Sequence, residues 1–497
     1  MKIDDLRVRI ESPAIDVHPG RGTPGWGGAP SPIFDPPEST WRDAVIRRLF
    51  SSQLRINMIS GVATMGVNAL VLAVGYPIYL HFLGYEQYGV WLVLSVVLNF
   101  AQLGNLGIGH AVTKLTAEEY GRDDMAGVRK YMTCAMAILA VSGTCVLAVI
   151  ILFRTPIVGL FRLSNENAGT ALWLLPYIGC LSVYVLMVQA LNAGLSGLGR
   201  MDLANYAQTG GRFVAVVTAT VLLSRGGGVK SLLIGNTASY IFIHAVSFIS
   251  IRRIAKIRFL CRSNLDVGRT RRLLSFGGGV FGNSVLGMLI NPFNKLMLSR
   301  YAGVETIPVY EVAFHAASLF RSVFEAAFRA IMPEISRLGS EVSIQARERI
   351  KAINLRVFKA IVFFALPSYI GMVIVAEPFL KLWLRHSYSA SIPWAFRIML
   401  ASTFLSLLTV PAYYTIMGLG RVRCFITGGV VAAGVNVGLV LALRVVATEV
   451  SVDRVCACMV ATSGVYLLYM VCEVRRLLSF GIPWDGNART TAIIQVE

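Results

Sequence analysis

Apolar runs close to the ~20 residues that a helix needs to cross a bilayer recur along most of this chain, and nothing else in it limits the fold as strongly. Twelve stand out, at 56–80, 88–112, 131–153, 170–193, 206–224, 231–251, 275–298, 306–332, 354–376, 392–416, 424–443 and 455–474. A succession of this kind calls for backbone polar groups satisfied within each segment, which in lipid means helices. Composition points the same way. Hydrophobic residues make up 55% of the chain and charged ones 15%, against about 25% charged in soluble domains. These values exclude an ordinary soluble enzyme, a disordered chain and a disulfide-stapled secreted domain. The expected fold class is an all-α membrane protein with about 12 transmembrane helices.

The net charge of +19 raises the question of nucleic acid. No basic stretch here has interleaved aromatics on a polar domain, so no nucleic-acid partner is expected. The excess falls instead in the loops. With an even number of spans the two termini share a side; loops on that side, counted as far as Arg356 at the start of the ninth run, carry 20 basic residues and the opposite loops 9. The positive-inside rule then puts both termini in the cytoplasm. The opposite loops are too short to hold a domain.

Residues 1–40 are dense in Pro and Gly and cannot bury a core, so they read as a disordered, dispensable N-terminal tail. Residues 41–55 mix Arg42, Arg47, Arg48 and Arg55 with Trp41, Ile46, Phe50 and Leu54, the pattern of a juxtamembrane amphipathic helix. A six-helix lobe is expected over 56–251, a basic cytoplasmic linker over 252–274, a second six-helix lobe over 275–475, and a cytoplasmic tail over 476–497. The lobes align at a nearly constant offset. Gly84 meets Gly303, Glu86 meets Glu305 and Trp91 meets Tyr310; Pro156 meets Pro378, Trp173 meets Trp394, and GLGR at 197–200 meets GLGR at 418–421. Repeats with an even number of helices are parallel, and two such bundles around a central cavity favour alternating access.

Charge inside a span costs at least ~2.5–3.5 kcal/mol on insertion scales, so each case needs a reason. The eighth run holds Glu311, His315, Arg321, Glu325 and Arg329. At about 100° per residue all five fall within an arc of about 120°, and the stripe rises about 27 Å from Glu311 to Arg329. One reading is a structural ladder in which Glu325 pairs with Arg321 and Arg329. The other is a water-filled cavity that presents cations to an anionic substrate; a paired Arg can exchange a carboxylate for a phosphate. Lys295, Arg397 and Arg212 either join that cavity or snorkel to an interface. His244 reads as a packing residue. Uncharged polar stripes occur in the first run (Asn57, Gly61, Thr64, Asn68), the second (Ser95, Asn99, Gln102, Gly109) and the seventh (Gly287, Asn291, Asn294). They suit close helix packing or hydrogen bonding to sugar hydroxyls.

Sites of other chemistries are missing from the sequence. No phosphate-binding loop of the form G-x-x-x-x-G-K-[ST] occurs. Cys456 and Cys458 form a lone C-x-C, a weak metal signal, and the remaining Cys lie mostly in apolar runs as small packing residues. No catalytic residue, no metal and no cofactor is expected.

The segment LGYEQYGVWLVLSVVLNFAQLGNLGIGHAVTKLTAEEYGRDD (83–124) resembles the polysaccharide-exporter and O-antigen flippase family of the multidrug/oligosaccharidyl-lipid/polysaccharide superfamily. The matching features are LG-x-E-x-YG-x-W, then LGIG, then A-E-x-x-G-R-x-D, with GLGR after the fourth run and NKLMLSRYAGVETIPVY (294–310) at the end of the seventh. The resemblance spans about 50–480. It implies a flippase, not an enzyme, that moves a polyprenyl-diphosphate-linked oligosaccharide across the bacterial cytoplasmic (inner) membrane. It further implies two lobes around a cationic cavity, with Arg321, Arg329 and Lys295 matching by location and charge. A polysaccharide polymerase or glycosyltransferases are the partners it suggests. Many family members carry Asp where Asn105 and Asn294 stand here, so the cavity of this chain is more positive and coupling to a cation at those positions is in question.

The candidate substrate-binding residues are therefore Arg321, Arg329, Lys295, Arg397, Arg212, Glu325, Glu311, His315, Asn68, Asn99 and Asn291. A multidrug antiporter of the same superfamily is the competing reading, but a site for cationic drugs needs net negative charge, and the intramembrane residues sum to a positive one. A membrane enzyme of polysaccharide assembly would call for a large catalytic loop, which the spacing of the runs does not leave room for.

Overall fold

The computed structural model describes residues 52–255, 264–328, 335, 338, 344–419, 421–446 and 449–479, and these are nearly all helical. The expected tail at 1–40, most of the segment 41–55, Arg329 and residues 480–497 lie outside the described residues.

Helix α1 (Ser52–Ala101) is broken at Gly84, whose φ of 68° suits a residue without Cβ, into arms 52–83 and 85–101. A short 3-10 turn (Gln102–Asn105) follows, and Leu106 and Gly107 take left-handed φ values of 50° and 71° before α2 (Ile108–Gly121) begins. The second apolar run, expected as one helix over 88–112, is thus interrupted at 102–107. A sequence period alone does not reveal such a break. Next come α3 (Met125–Leu152), α4 (Arg154–Leu160), α5 (Asn165–Gly197), α6 (Met201–Leu223) and α7 (Lys230–Ala255). In the second half stand α8 (Val267–Tyr301) and α9 (Thr306–Phe328), followed by α10 (Ile344–Ala360) and a π turn (Ile361–Ala365) that leads into α11 (Leu366–Leu384). Pro367, in the first turn of α11, has no N–H to give and crowds the preceding carbonyls, which the wider π turn relieves. Helices α12 (Ile392–Leu408), α13 (Val410–Gly418), α14 (Val422–Val446) and α15 (Val452–Ser479) complete the order. Helix occupies 252–255 and 267–274, inside the stretch read as a linker.

Among the described residues, eight helical stretches are long and apolar enough to cross a membrane: 63–105, 125–152, 165–197, 230–254, 345–387, 392–418, 424–445 and 452–478. Helices α6, α8 and α9 are not among these; each carries charged side chains. Large apolar side chains face outward on many of the helices, for instance Leu152, Phe363, Leu382 and Val445. A surface of that kind needs lipid as its solvent, and the protein is a multi-pass integral membrane protein.

Helix ends follow local chemistry. Asp124 caps α3 by accepting from the Gly127 N–H at 2.8 Å, and Asp266 caps α8 by accepting from the Arg269 N–H at 3.1 Å. Gly84 and its counterpart Gly303 both take positive φ, 68° and 95°, each between two consecutive helical segments.

Helix α8 joins the two halves. Its first turns pack on the N-terminal half: Leu273 is buried in a cluster with Ile108, Leu115, Met132 and Leu195. The backbones of Gly107 and Gly277 approach so closely that a Cβ on Gly107 would collide with the Gly277 carbonyl. At its far end, Met297 is buried with Val440 of α14 and Cys458 of α15.

Candidate functional site

The N-terminal helices line a half-open chamber of about 710 Å³. Each wall comes from one polar face of an otherwise apolar helix. Helix α5 supplies Gln189, Asn192 and Ser196, α6 supplies Gln208 and Arg212, and α7 supplies Asn236, Ser239 and Tyr240. These spacings of three, four and seven put each set on one helical face. The two arms of α1 add Tyr76, Tyr79 and Tyr88, and the segment after them adds Asn105, His110 and Thr113.

Part of this wall is held in place by its own hydrogen bonds. Asn105 Nδ2 donates to Gln189 Oε1 at 2.6 Å, and Asn105 Oδ1 accepts from the Gly109 N–H at 3.0 Å. Gln189 Nε2 in turn donates to Gln102 Oε1. Ser247 Oγ donates to Asn192 Oδ1 at 2.9 Å. The amides are therefore fixed in orientation before any ligand arrives, which lowers the ordering cost of binding.

Among the described sequence candidates, Arg212 alone lines this chamber. Three others form a cluster beside it, two of them buried. Lys295 of α8 donates to Glu311 Oε2 of α9 at 2.8 Å, and His315 Nε2 lies 3.2 Å from Glu311 Oε1. Lys295 and Glu311 are 5% and 6% exposed, so Lys295 does not snorkel to an interface. A buried carboxylate at hand outcompetes the distant water, because an unpaired charge in this surrounding is far costlier than a paired one. The Tyr76 ring is 6.1 Å from His315 and 6.4 Å from Trp383, which connects chamber and cluster. Trp383 Nε1 donates to the Ala73 carbonyl at 2.6 Å, and Tyr85 Oη to the Ser387 carbonyl at 2.6 Å. At the Gly84 end, the first helix is thus tied to the C-terminal half.

Other candidates have different roles in the packing. Arg321 and Glu325 pair at 3.2 Å one turn apart on α9, and both are partly exposed; the third member of the expected ladder, Arg329, is outside the described residues. Arg397 Nε donates to the Val373 carbonyl at 3.2 Å. Asn291 accepts from Tyr310 Oη at 2.9 Å, and the same hydroxyl accepts from Asn294 Nδ2 at 3.1 Å. Asn99 is exposed. The polar stripe of the first run is used largely for helix packing against α6 and its start. Asn57 Nδ2 donates to the Gly199 carbonyl at 2.9 Å, and Thr209 Oγ1 to Thr64 Oγ1 at 3.0 Å. Asn68, farther along that stripe, keeps a buried Oδ1 without a hydrogen-bond donor.

The amides of α5, α6 and α7 are absent from the sequence-derived set. Their signal was present, as polar residues recurring at helical spacing inside apolar runs, of the same kind as the stripes in the first, second and seventh runs. No group of His, Cys, Asp or Glu among the described residues is arranged to hold a metal ion.

A family model described as "Polysaccharide biosynthesis protein" matches residues 81–393. No curated protein sequence matches the chain. Among solved structures, the lipid II flippase MurJ in an inward closed conformation is similar over 84% of this chain and 87% of its own, with TM-score 0.68 and 14% identity. A multidrug resistance MATE family transporter of the MOP superfamily, in an inward-facing conformation, is similar over 86% and 97%, with TM-score 0.63 and 13% identity. A MOP superfamily transporter from Pyrococcus furiosus, whose binding pocket is described as of reverse polarity, is similar over 86% and 96%, with TM-score 0.54 and 15% identity. At these identities the likeness concerns the fold alone, which this chain shares with those proteins. The family model covers well over half of the sequence, and the chain belongs to the polysaccharide biosynthesis protein family.

Proposed function

We infer that this protein is a flippase that carries a polyprenyl-diphosphate-linked oligosaccharide across the bacterial cytoplasmic membrane by alternating access. The observation that carries the reading is the chamber of about 710 Å³ lined by amides, tyrosines, one arginine and apolar side chains, with no carboxylate on its lining among the described residues. Amides and tyrosines match sugar hydroxyls and ring faces. A site for cationic drugs would need acidic groups instead.

In this reading the chain has twelve spans in two parallel six-helix repeats, with both termini in the cytoplasm. Arg321 exchanges Glu325 for a phosphate oxygen, since the planar guanidinium suits either anion. The sugars occupy the chamber, and the lipid tail stays in the bilayer. A polymerase or glycosyltransferases acting on the same lipid-linked sugar are the natural partners. The test is reconstitution into liposomes with a fluorescent polyprenyl-diphosphate oligosaccharide. Protein-dependent loss of inner-leaflet probe supports the reading; no movement of that probe, with efflux of cationic dyes instead, would overturn it in favour of a multidrug antiporter.

A further inference from the structure

Three guanidiniums gather on the ring of Tyr301, the last residue of α8. Arg162 lies 5.8 Å from the ring centroid, Arg300 5.8 Å and Arg444 5.1 Å. Arg162 follows α4, Arg300 stands at the end of α8, and Arg444 is in the last turn of α14. All three belong to the face opposite the strongly basic loops, where the sequence puts 9 basic residues, so a third of them meet at one ring. None has an ion-pair partner among the described residues. Like charges separated by distances on the order of a Debye length, ~10 Å, repel one another. The aromatic ring attracts each cation but leaves its charge in place. The chain nevertheless builds the cluster. Arg162 takes a φ of 50°, a left-handed backbone that Gly or Asn usually fills after a helix. Arg300 Nη1 donates to the Leu160 carbonyl at 3.3 Å, and Ser299 Oγ donates to the Phe161 carbonyl at 2.8 Å. These bonds fasten the turn that carries Arg162 to the end of α8.

We propose that Arg162, Arg300 and Arg444 hold the phosphate of an anionic phospholipid in the leaflet on that side of the membrane. Guanidinium forks match phosphate oxygens, and a basic cluster at the membrane boundary is suited to lipid headgroups. The surroundings favour a lipid over a free anion. Leu441 and Val445 lie beside Arg444 on α14, Leu160 precedes Arg162 by two residues, and all three apolar side chains are exposed. Acyl chains can cover them while the headgroup reaches the arginines. The surroundings also favour a single charge over a diphosphate. A neighbouring cavity of about 600 Å³, which Tyr301 lines as well, holds Glu305, Glu449 and Asp453, and these carboxylates oppose a multiply charged anion. Seated there, the phosphate joins the turn after α4 in the N-terminal half to α8 and α14 in the C-terminal half.

The experiment uses the full chain purified in detergent and follows the ligand-dependent rise in thermal unfolding temperature. The probes are dioctanoyl phosphatidylglycerol, dioctanoyl phosphatidylcholine, which has the same chains but a neutral headgroup, and inorganic pyrophosphate. Phosphatidylglycerol is expected to half-saturate at a concentration about tenfold lower than phosphatidylcholine, as one charge-assisted pair implies. The double change Arg162→Gln with Arg444→Gln should abolish that preference, and both side chains are exposed, so the fold has little to lose. Arg162→Lys with Arg444→Lys should keep part of it, which guards against a fold defect. Arg252→Gln with Arg253→Gln, two exposed cations on the basic face, should leave it intact. Equal binding of the two lipids, binding of neither, or a preference that survives the double Gln change would overturn the proposal. So would a preference lost with Arg252 and Arg253, which would move lipid binding to the basic loops. Pyrophosphate binding at a lower concentration than phosphatidylglycerol, and lost in the double Gln variant, would assign the cluster to a diphosphate and overturn the phospholipid.

Discussion

Lys295 and Glu311 meet at 2.8 Å although they come from different helices and are each about nineteen-twentieths buried. They stand eight residues before and eight after Gly303, where the chain turns between α8 and α9. Antiparallel helices with equal rise bring such positions level. The pair therefore fixes the register of the hairpin as well as neutralising two charges.

Removing one partner leaves the other unpaired at depth. Glu311→Gln is expected to destabilise the protein by ~3–5 kcal/mol, while the double change Lys295→Met with Glu311→Leu loses much less, because it removes both desolvation costs. Thermal unfolding in detergent separates the two. A double variant as unstable as Glu311→Gln would show that the cluster matters through shape rather than charge.

Acidification should loosen the contact between α3 and the start of α8. Hydrogen bonding from the Gly127 N–H, aided by nearby Arg269, holds the Asp124 carboxyl below its usual range, and the Arg269 N–H does the same for Asp266. Arg269 lies 3.8 Å from Asp124 and 3.9 Å from Asp266. A carboxyl whose folded-state value is depressed adds stability above its unfolded value, near ~3.9, and loses that stability as the pH falls toward the lower folded value. Unfolding temperature should drop on titration from neutral pH through about pH 4. Asp124→Asn with Asp266→Asn should be less stable at neutral pH and show a shallower drop; an unchanged slope would remove these caps from the account.

The close approach of Gly107 and Gly277 predicts a steric effect. Gly107 combines a φ of 71° with a position where any Cβ meets the Gly277 carbonyl. Gly107→Ala should therefore cost ~1–3 kcal/mol from overpacking, added to the left-handed strain. Gly66→Ala, on α1, where a Cβ meets nothing within 4 Å, is the control and should be near neutral. Comparable losses in both would exclude the close approach as the cause.

The helical, membrane-spanning character was legible because a run of apolar residues leaves a helix no other solvent than lipid or protein. The break at Leu106 and Gly107 was not, since the polar residues around LGIG also suit one face of an unbroken helix, and only the backbone angles of 50° and 71° reveal it. Charged candidates were visible one by one, but their pairing was hidden: Glu311 was grouped with Arg321 and Glu325 on its own helix, whereas its closest cation is Lys295 on the preceding one. Equal distance from Gly303 would have exposed that pair. The amides Gln189, Asn192, Gln208 and Asn236 were missed because isolated uncharged polar residues in a span usually serve helix packing, and what separates these is their convergence from α5, α6 and α7 on one chamber.

Arg321 and Glu325 offer the sharpest division between binding and packing. They pair at 3.2 Å with side chains 33% and 24% exposed, so water and a ligand can reach both. As an anchor for a phosphate oxygen, Arg321 should lose about tenfold or more in transport on replacement by Ala, through the missing charge-assisted bonds. Arg321→Lys should fall between, because the bidentate fork is lost while the charge remains. As packing glue, Arg321→Ala should instead lower protein levels by leaving Glu325 without its cation. The double change Arg321→Ala with Glu325→Ala decides, read by membrane abundance and polysaccharide export in cells lacking the native protein. Normal abundance with export still absent assigns Arg321 to the cargo; recovery of both abundance and export assigns the pair to packing alone.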